Sequence, residues 1–327
     1  MFFSFLENPY ESDTFEGWLH EDENFVPTRA SEKVENMVKI KNLAIVAGHS
    51  GCGKTAIVQH IALKYRKNGW VVKPVDEVED IKIAYESEKF IKNKTIFVIN
   101  DPIGKECLNE ILYNTWKNNE QMLTYFLKSV KLILTCRTYI VFDTRVKGLF
   151  QDKSNIVVVD DINNKLNHFE KRALLKKYTE SEEISEENTI KILENEICFP
   201  LLCKMFASNR KHFKDVLQFF MEPIDVLKEE IEICKISDIE KYCGLVCLVL
   251  FNNKLFQNDL HKKKNIFKKC LDLCGIQKRL PPATIMKNLE LLEGFFTKKK
   301  CDFYQFYHDF VMAVSYTHLT LPTICSV

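Results

Sequence analysis

No run of 18 apolar residues occurs in the 327-residue chain, so a membrane-spanning helix is not expected. Charge of one sign is also lacking. Lys plus Arg number 46 against 45 Asp plus Glu, a net charge of +1, which excludes a basic nucleic-acid coat and an acidic tail. The apolar opening Met1 to Leu6 is short, has no positive flank and runs into Glu7. It is not read as a signal peptide, and the cytoplasm is the default compartment. The 12 cysteines include no CxxC pair. Cys243/Cys247 and Cys270/Cys274 each stand four apart, one face of a helix. They read as buried reduced thiols, with a zinc site from these four as the alternative. Glycine is sparse, at 10 residues, which argues against large mobile lids.

What remains is ordinary globular composition: 46% hydrophobic, 28% charged, with 24 Phe. The length suits about two domains. Residues 1–24 are acidic and aromatic with little periodicity and read as a loosely held lead-in. A short helix is expected over Ala30 to Val38. Five apolar runs follow: Leu43 to Ala47, Trp70 to Val75, Thr95 to Ile99, Lys131 to Thr135 and Ile156 to Val159. Each is short and ends at polar or turn residues, the signature of buried parallel strands. The gaps between them suit crossover helices. After the first run, Ile57, Val58, Ile61, Ala62 and Tyr65 share one helical face, with Gly69 as the stop.

After Asp161 the pattern turns helical. The acidic patch Glu180 to Glu187 reads as an exposed helix start or loop. Ile190 to Phe206 reads as a helix interrupted at Pro200. Lys262 to Lys264 with Lys268 and Lys269 read as a solvated helix face, with nucleic-acid contact the alternative. The end, Ser315 to Thr323, is unlike the rest and resembles the translation of cloning read-through; it is set aside from fold reasoning.

Chemistry concentrates at Gly48-His49-Ser50-Gly51-Cys52-Gly53-Lys54-Thr55, a match to GxxxxGK[ST], the Walker A pattern. Its glycines let the backbone turn tightly and point N–H groups at phosphate oxygens. The helix N-terminus behind it favours anions. Lys54 supplies a point charge to the β/γ-phosphates, and the Thr55 hydroxyl suits Mg²⁺. The run Thr95 to Asn100 followed by Asp101 has the Walker B form, with Asp101 holding Mg²⁺ through a water. Pro102 stands where hydrolytic relatives often carry a glutamate, and the nearest later acid is Glu106. Lys131 to Arg137 ends in Thr-x-Arg at the sheet edge where open α/β folds bind ligands. Arg137 is the candidate reader of the γ-phosphate.

Taken in order, GHSGCGKT, FVINDP and LILTCR resemble the STAND class of P-loop NTPases. More narrowly they are similar to the third novel STAND subtype of invertebrate immune and signalling proteins. Phe25 to Ala30 ahead of the loop and Asp101-Pro102-Ile103-Gly104-Lys105 also resemble that family. The resemblance implies an α/β fold: a P-loop NTPase parallel sheet of the ASCE/AAA+-like kind, followed by helical and winged-helix-like lobes. The expected domains are a lead-in 1–24, an NTPase core 25–160, a helical lobe 161–235, a winged-helix-like lobe 236–314 and the tail 315–327. It further implies that Pro200 lies against nucleotide, and that His308 in Phe306-Tyr307-His308-Asp309 touches the diphosphate.

The implied function is an ATP-binding switch, a slow or regulated ATPase, that controls oligomerisation in signalling or innate immunity. ATP/ADP and Mg²⁺ are the cofactors, ATP being favoured because no guanine-reading NKxD motif appears. Expected partners are nucleotide, further copies of the chain on activation and signalling proteins, with no membrane and no nucleic acid. Asn100, where an acid is common, and Pro102 point to slow turnover. Two alternatives stand beside the switch: a P-loop kinase acting on a small acceptor, and a nucleotide-locked scaffold that never hydrolyses.

Overall fold

The computed structural model describes residues 9–87, 90–179, 184–208, 215–278 and 280–324. The chain divides into two compact units, Met1–Lys177 and Tyr178–Val327.

The first unit is built on five strands: β1 (Leu43–Gly48), β2 (Val71–Val75), β3 (Thr95–Asn100), β4 (Lys131–Arg137) and β5 (Ile156–Val158). All pairs are parallel, in the order β2-β3-β4-β1-β5. Five apolar runs thus become five strands within a residue or two of their expected ends. Alternation within each strand divides the core into two layers. Leu43, Ile45, Ala47, Phe97, Ile99, Leu132 and Leu134 face one side, and Ala44, Val46, Ile96, Val98 and Ile133 the other. A sheet buried on both faces needs helices on both, which is why its strands are apolar throughout. Strand β4 lies between β1 and β3, so the strand behind the glycine-rich loop and the strand ending at Asp101 are not neighbours.

The helices of this unit are α1 (Pro9–Asp22), α2 (Arg29–Ile40), α3 (Lys54–Lys67), α4 (Val78–Glu86), α5 (Glu110–Phe126), α6 (Thr138–Val141) and α7 (His168–Thr179), the last crossing into the second unit. Helix α2 begins with a capping box between Thr28 and Ser31. Helix α3 buries Ile57, Val58, Ile61 and Ala62, as its pattern requires.

The expected lead-in is corrected. Residues 9–22 are not a loose lead-in; α1 packs on the sheet unit. Phe15 is 2% exposed and Trp18 is buried. Lys73 Nζ on β2 donates to Glu11 Oε2 at 2.9 Å. Asp22 Oδ1 lies 2.7 Å from His60 Nδ1, and the His60 ring stacks on Phe25 with centroids 3.9 Å apart. Two aromatics three residues apart suffice to dock one helical turn, but two anchors make too weak a period to read in an acidic segment.

The second unit contains α8 (Glu186–Glu194), α9 (Phe199–Ser208), α10 (Val216–Met221), α11 (Pro223–Ser237), α12 (Ile239–Leu250), β6 (Leu255–Phe256), α13 (Gln257–Lys262), α14 (Lys264–Leu273), α15 (Pro282–Leu291), β7 (Thr297–Lys300), β8 (Phe303–Phe306) and α16 (Asp309–Ile324). Residues Tyr242 to Val249 of α12 are all buried, and a helix apolar all round is a central one. It packs against α11, α14, α15 and α16. Gly244 permits the approach of α15, since a Cβ there would lie 3.1 Å from Leu289 Cδ2. The three strands form a small antiparallel sheet in the order β6-β8-β7. A pattern read as almost purely helical missed it because its strands are only two to four residues long.

Pro200 does not interrupt a helix. The break falls before it, with Cys198 at φ 47, and Pro200 sits in the first turn of α9, where a missing N–H costs nothing. Of the acidic patch Glu180 to Glu187, residues 180–183 lie outside the described residues, and Glu186 and Glu187 open α8. The segment from Ser315 continues α16, with Ser315 and Leu319 buried and Tyr316 Oη donating to Val249 O at 3.3 Å. Cys243, Cys247 and Cys270 are fully buried and Cys274 nearly so. Among the described residues no cluster is arranged to hold a metal, and no helix is long and apolar enough to cross a membrane.

Candidate functional site

The glycine-rich loop leaves β1 at Gly48 and enters α3 at Lys54. Gly51 at φ 74 and Gly53 at φ 95 occupy the left-handed region that side chains disfavour. Gly48 has no room for a Cβ, which would fall 2.5 Å from Cys52 Sγ. At the start of α3, Gly53 offers no side-chain cap. In the same unit Thr28 caps α2 and Asn109 caps α5. The N-cap position of α3 therefore supplies no side-chain oxygen to its first N–H groups, and this is the end that the motif assigns to phosphate.

Lys54 is buried, at 6% exposure, and its Nζ donates to His49 O at 2.6 Å. The ammonium thus rests inside its own loop. Ser50 lies half-buried within the loop, and Thr55 lies exposed in the first turn of α3. The Cys52 thiol is pushed up to about 11 by burial, with Asp160 adding to this and Lys54 opposing it. It is a neutral thiol at physiological pH.

Across the sheet, Gly48 pairs with Arg137 and Asn100 with Thr135. The ladder therefore brings the loop, the Thr-x-Arg strand and the Asp101 strand to one carboxyl edge. The buried Arg137 donates from Nε to Lys105 O at 3.2 Å, and Tyr139 Oη donates to the same carbonyl at 3.1 Å. Thr135 Oγ1 donates to Asn100 Oδ1 at 3.0 Å. Asp101 donates its backbone N–H to Thr135 O at 3.1 Å and turns at φ 48, a region that Asp tolerates better than most residues. Burial pushes the buried Cys136 thiol up to about 12, with the Asp101 charge as the next cause.

The loop after Asp101 is wound tightly. Gly104 lies at φ 129, and a Cβ there would fall 2.2 Å from Cys107 O. Asn109 donates its N–H to Ile103 O at 2.9 Å and caps α5 through Oδ1. A cavity of about 410 Å³ opens here, lined by Asn100, Asp101, Gly104 to Cys107, Asn109 and Leu112.

The structure thus brings Gly48 to Thr55, Asp101 and Arg137 to one edge of the sheet. Pro200 and His308 belong to the second unit. There Pro200 is half-buried, and His308 Nδ1 accepts from Phe310 N–H at 3.2 Å at the start of α16. Sequence reasoning missed Asp160, whose Oδ2 accepts from His49 N–H at 2.7 Å. Its signal was present: β5, like β3, is an apolar run with an acid just past its end.

Residues 25–181 match the model of the family Novel STAND NTPase 3. The expected resemblance to STAND-class P-loop NTPases is therefore borne out over that segment. No curated protein matches the chain. Among solved structures, the Walker-type ATPase PABY2304 of Pyrococcus abyssi is 12% identical, covering 88% of this chain and 94% of its own at a TM-score of 0.37. Domain III of the Thermotoga maritima replication initiation protein DnaA is 15% identical over 67% and 94%, at 0.37. AMPPCP-bound DnaA from Aquifex aeolicus is 13% identical over 81% and 85%, at 0.38. Overlaps this low carry no argument; the parallel order β2-β3-β4-β1-β5 itself carries the fold.

Proposed function

We propose that the chain is an ATP-binding STAND-type switch with slow or regulated hydrolysis, controlling oligomerisation in signalling or innate immunity. The observation that carries this reading is the buried Lys54 ammonium in a glycine loop, at a helix start whose N-cap is a glycine with no side chain to cap it. A buried cation costs free energy unless something compensates it, and a polyphosphate is the compensation this loop suits. The α3 N–H groups and Lys54 would hold the phosphates, with His49 to Gly53 supplying the loop. Thr55 and Asp101 are hard oxygen donors of the type Mg²⁺ takes, and Mg²⁺ bound there would neutralise charge on the β- and γ-phosphates. Arg137, one strand from Gly48, would read the γ-phosphate by releasing Lys105 O.

The second unit would supply the moving part. Its helices up to about residue 235 form the helical lobe of this reading. The order α12, β6, α13 to α15 and a β7-β8 hairpin supports a winged-helix-like lobe over 236–314. Pro200 would lie against the nucleotide. With Nδ1 accepting from Phe310 N–H, the His308 ring would present its proton on Nε2, a donor suited to a diphosphate. ADP would favour a closed arrangement and ATP an open one, a shift that needs different nucleotide affinities in the two states.

One observation favours a non-hydrolysing scaffold as the second reading. Pro102 follows Asp101, and Asn100 is engaged by Thr135, so no carboxylate stands directly after Asp101 to orient a water. The test is to denature the purified chain, identify the released nucleotide by chromatography and follow ATP turnover against Lys54→Ala. Bound ADP with slow turnover supports the switch. Bound nucleotide with no turnover supports the scaffold. An empty site with fast turnover that Lys54→Ala abolishes overturns both in favour of a conventional enzyme such as a small-acceptor kinase.

A further inference from the structure

Asp160 is a carboxylate at the phosphate loop to which the reading above gives no task. Strand β5 pairs with β1 as far as Val158, and Val159 N–H donates to Ala47 O at 2.8 Å. The ladder therefore delivers Asp160 beside Gly48 and His49. Its Oδ2 accepts from the His49 N–H at 2.7 Å and lies 2.7 Å from His49 Nδ1. One oxygen holds the same residue by backbone and by ring. The other oxygen, Oδ1, is buried without a hydrogen-bond partner and faces Gly48, where a Cβ would lie 3.4 Å from it.

The opposite end of His49 is held as well. Its carbonyl accepts from Lys54 Nζ at 2.6 Å. The His49 residue is therefore clamped between a carboxylate at its N–H and the ammonium at its C=O. A nucleotide that recruits Lys54 must exchange that carbonyl bond for phosphate oxygens. The peptide it leaves behind keeps its orientation only if the N–H side stays anchored.

We propose that Asp160 is a positioning residue of the nucleotide site: it anchors His49 and so fixes the loop from which Lys54 reaches the phosphates. This inference rests on the nucleotide-binding reading and adds to it the residue that holds the loop. Asp160 acts from the side of the loop and touches no phosphate itself. Charge-assisted hydrogen bonds from a carboxylate to backbone N–H are among the stronger ones, and a loop released from one loses preorganisation.

The test uses the full chain and two probes, ADP and ATP, by titration calorimetry. Wild type is measured first, then Asp160→Ala, Asp160→Asn and His49→Ala, each with its thermal midpoint. Asp160→Ala is expected to weaken both nucleotides roughly tenfold or more with little change in midpoint. Asp160→Asn retains an oxygen that accepts from His49 N–H and is expected to stay within about threefold of wild type. His49→Ala keeps the backbone bond and loses only the ring contact, so it should fall between wild type and Asp160→Ala. Affinity within twofold of wild type in Asp160→Ala overturns the proposal. So does loss of affinity that comes with a matching drop in midpoint, which marks a merely structural carboxylate, and so does loss that the Asn variant fails to rescue, because the charge and not the anchoring of His49 N–H would then be at work. A wild-type chain that binds neither nucleotide defeats the functional reading itself, is seen before any variant is made, and takes this inference with it.

Discussion

The two units bury different things. Among the described residues, the first buries four cations, Lys54, Lys73, Arg137 and Lys171. The second buries no charged side chain; its buried polar groups are Thr179, Thr189, Asn288, Thr297 and Ser315, set among phenylalanines and cysteines. Burying a charge is costly unless it is paired or hydrogen-bonded. Lys73 has its partner in Glu11, a structural pairing. Lys54 instead leans on a backbone carbonyl of its own loop. Carbonyls satisfy hydrogen bonds but do not neutralise charge. The buried Lys54 ammonium thus suits the anion of the proposed reading, while the second unit buries apolar and neutral side chains.

The largest expected effect tests that contrast directly. Lys54→Ala should abolish detectable ATP and ADP binding in calorimetry while the circular dichroism spectrum and thermal midpoint stay close to wild type. If the variant binds as the wild type does, the buried ammonium is structural and the contrast between the units loses its functional meaning.

The complementary break lies in the second unit. Phe220 is fully buried against Phe199, Phe206 and Phe219, with ring centroids 5.4–6.0 Å apart. Phe220→Ala should cost about 3–5 kcal/mol by lost burial and cavity formation. Chemical denaturation should show this as an earlier transition. A midpoint within error of wild type would mean that this aromatic cluster does not hold the unit together.

A smaller effect separates the loop after Asp101 from an ordinary turn. At Gly104 a Cβ would meet Cys107 O at 2.2 Å, whereas at Gly275, also at positive φ, it would meet nothing within 4 Å. Gly275→Ala should cost only the left-handed penalty of about 1–2 kcal/mol. Gly104→Ala should cost more than that by thermal melting, because backbone must also move. Equal losses would show that the loop is free to rearrange.

How much of this was legible follows from what each feature requires. The five strands were readable because a sheet buried on both faces demands uninterrupted apolar runs, and the phosphate loop because its glycines and lysine must stand at fixed spacing. The order in which strands pair sets Gly48 beside Arg137, and sequence periodicity carries no such cross-strand register. Asp160 was invisible for the same reason: its tie to His49 spans 111 residues, and an acid after a short strand is common. Helix α1 was missed because two anchors, Phe15 and Trp18, make no period. The strands of the second unit were missed because two to four residues are too few to show alternation.

The smallest effect concerns the surface that joins α2 to α3. Glu35 Oε1 accepts from Lys64 Nζ at 2.7 Å and from Lys39 at 3.0 Å. Hydrogen bonds from Lys64, then Lys39, hold its carboxyl below the ordinary glutamate range against a small opposing effect of burial. A depressed native pKa means that the ionised form is favoured by folding, so the contribution is complete above the unfolded value of about 4.3. It is lost as pH falls through the lower native value. Because both lysines are about half exposed, at 57% and 49%, solvent screens the pair and its worth is about 0.5 kcal/mol or less. Glu35→Gln should therefore trail wild type by roughly that amount in urea unfolding at pH 7, with the gap closing once the medium is acid enough to protonate Glu35 in the native state. A gap that stays constant down to that point would mean that Gln packs worse than Glu at this site and that the ion pair itself contributes nothing.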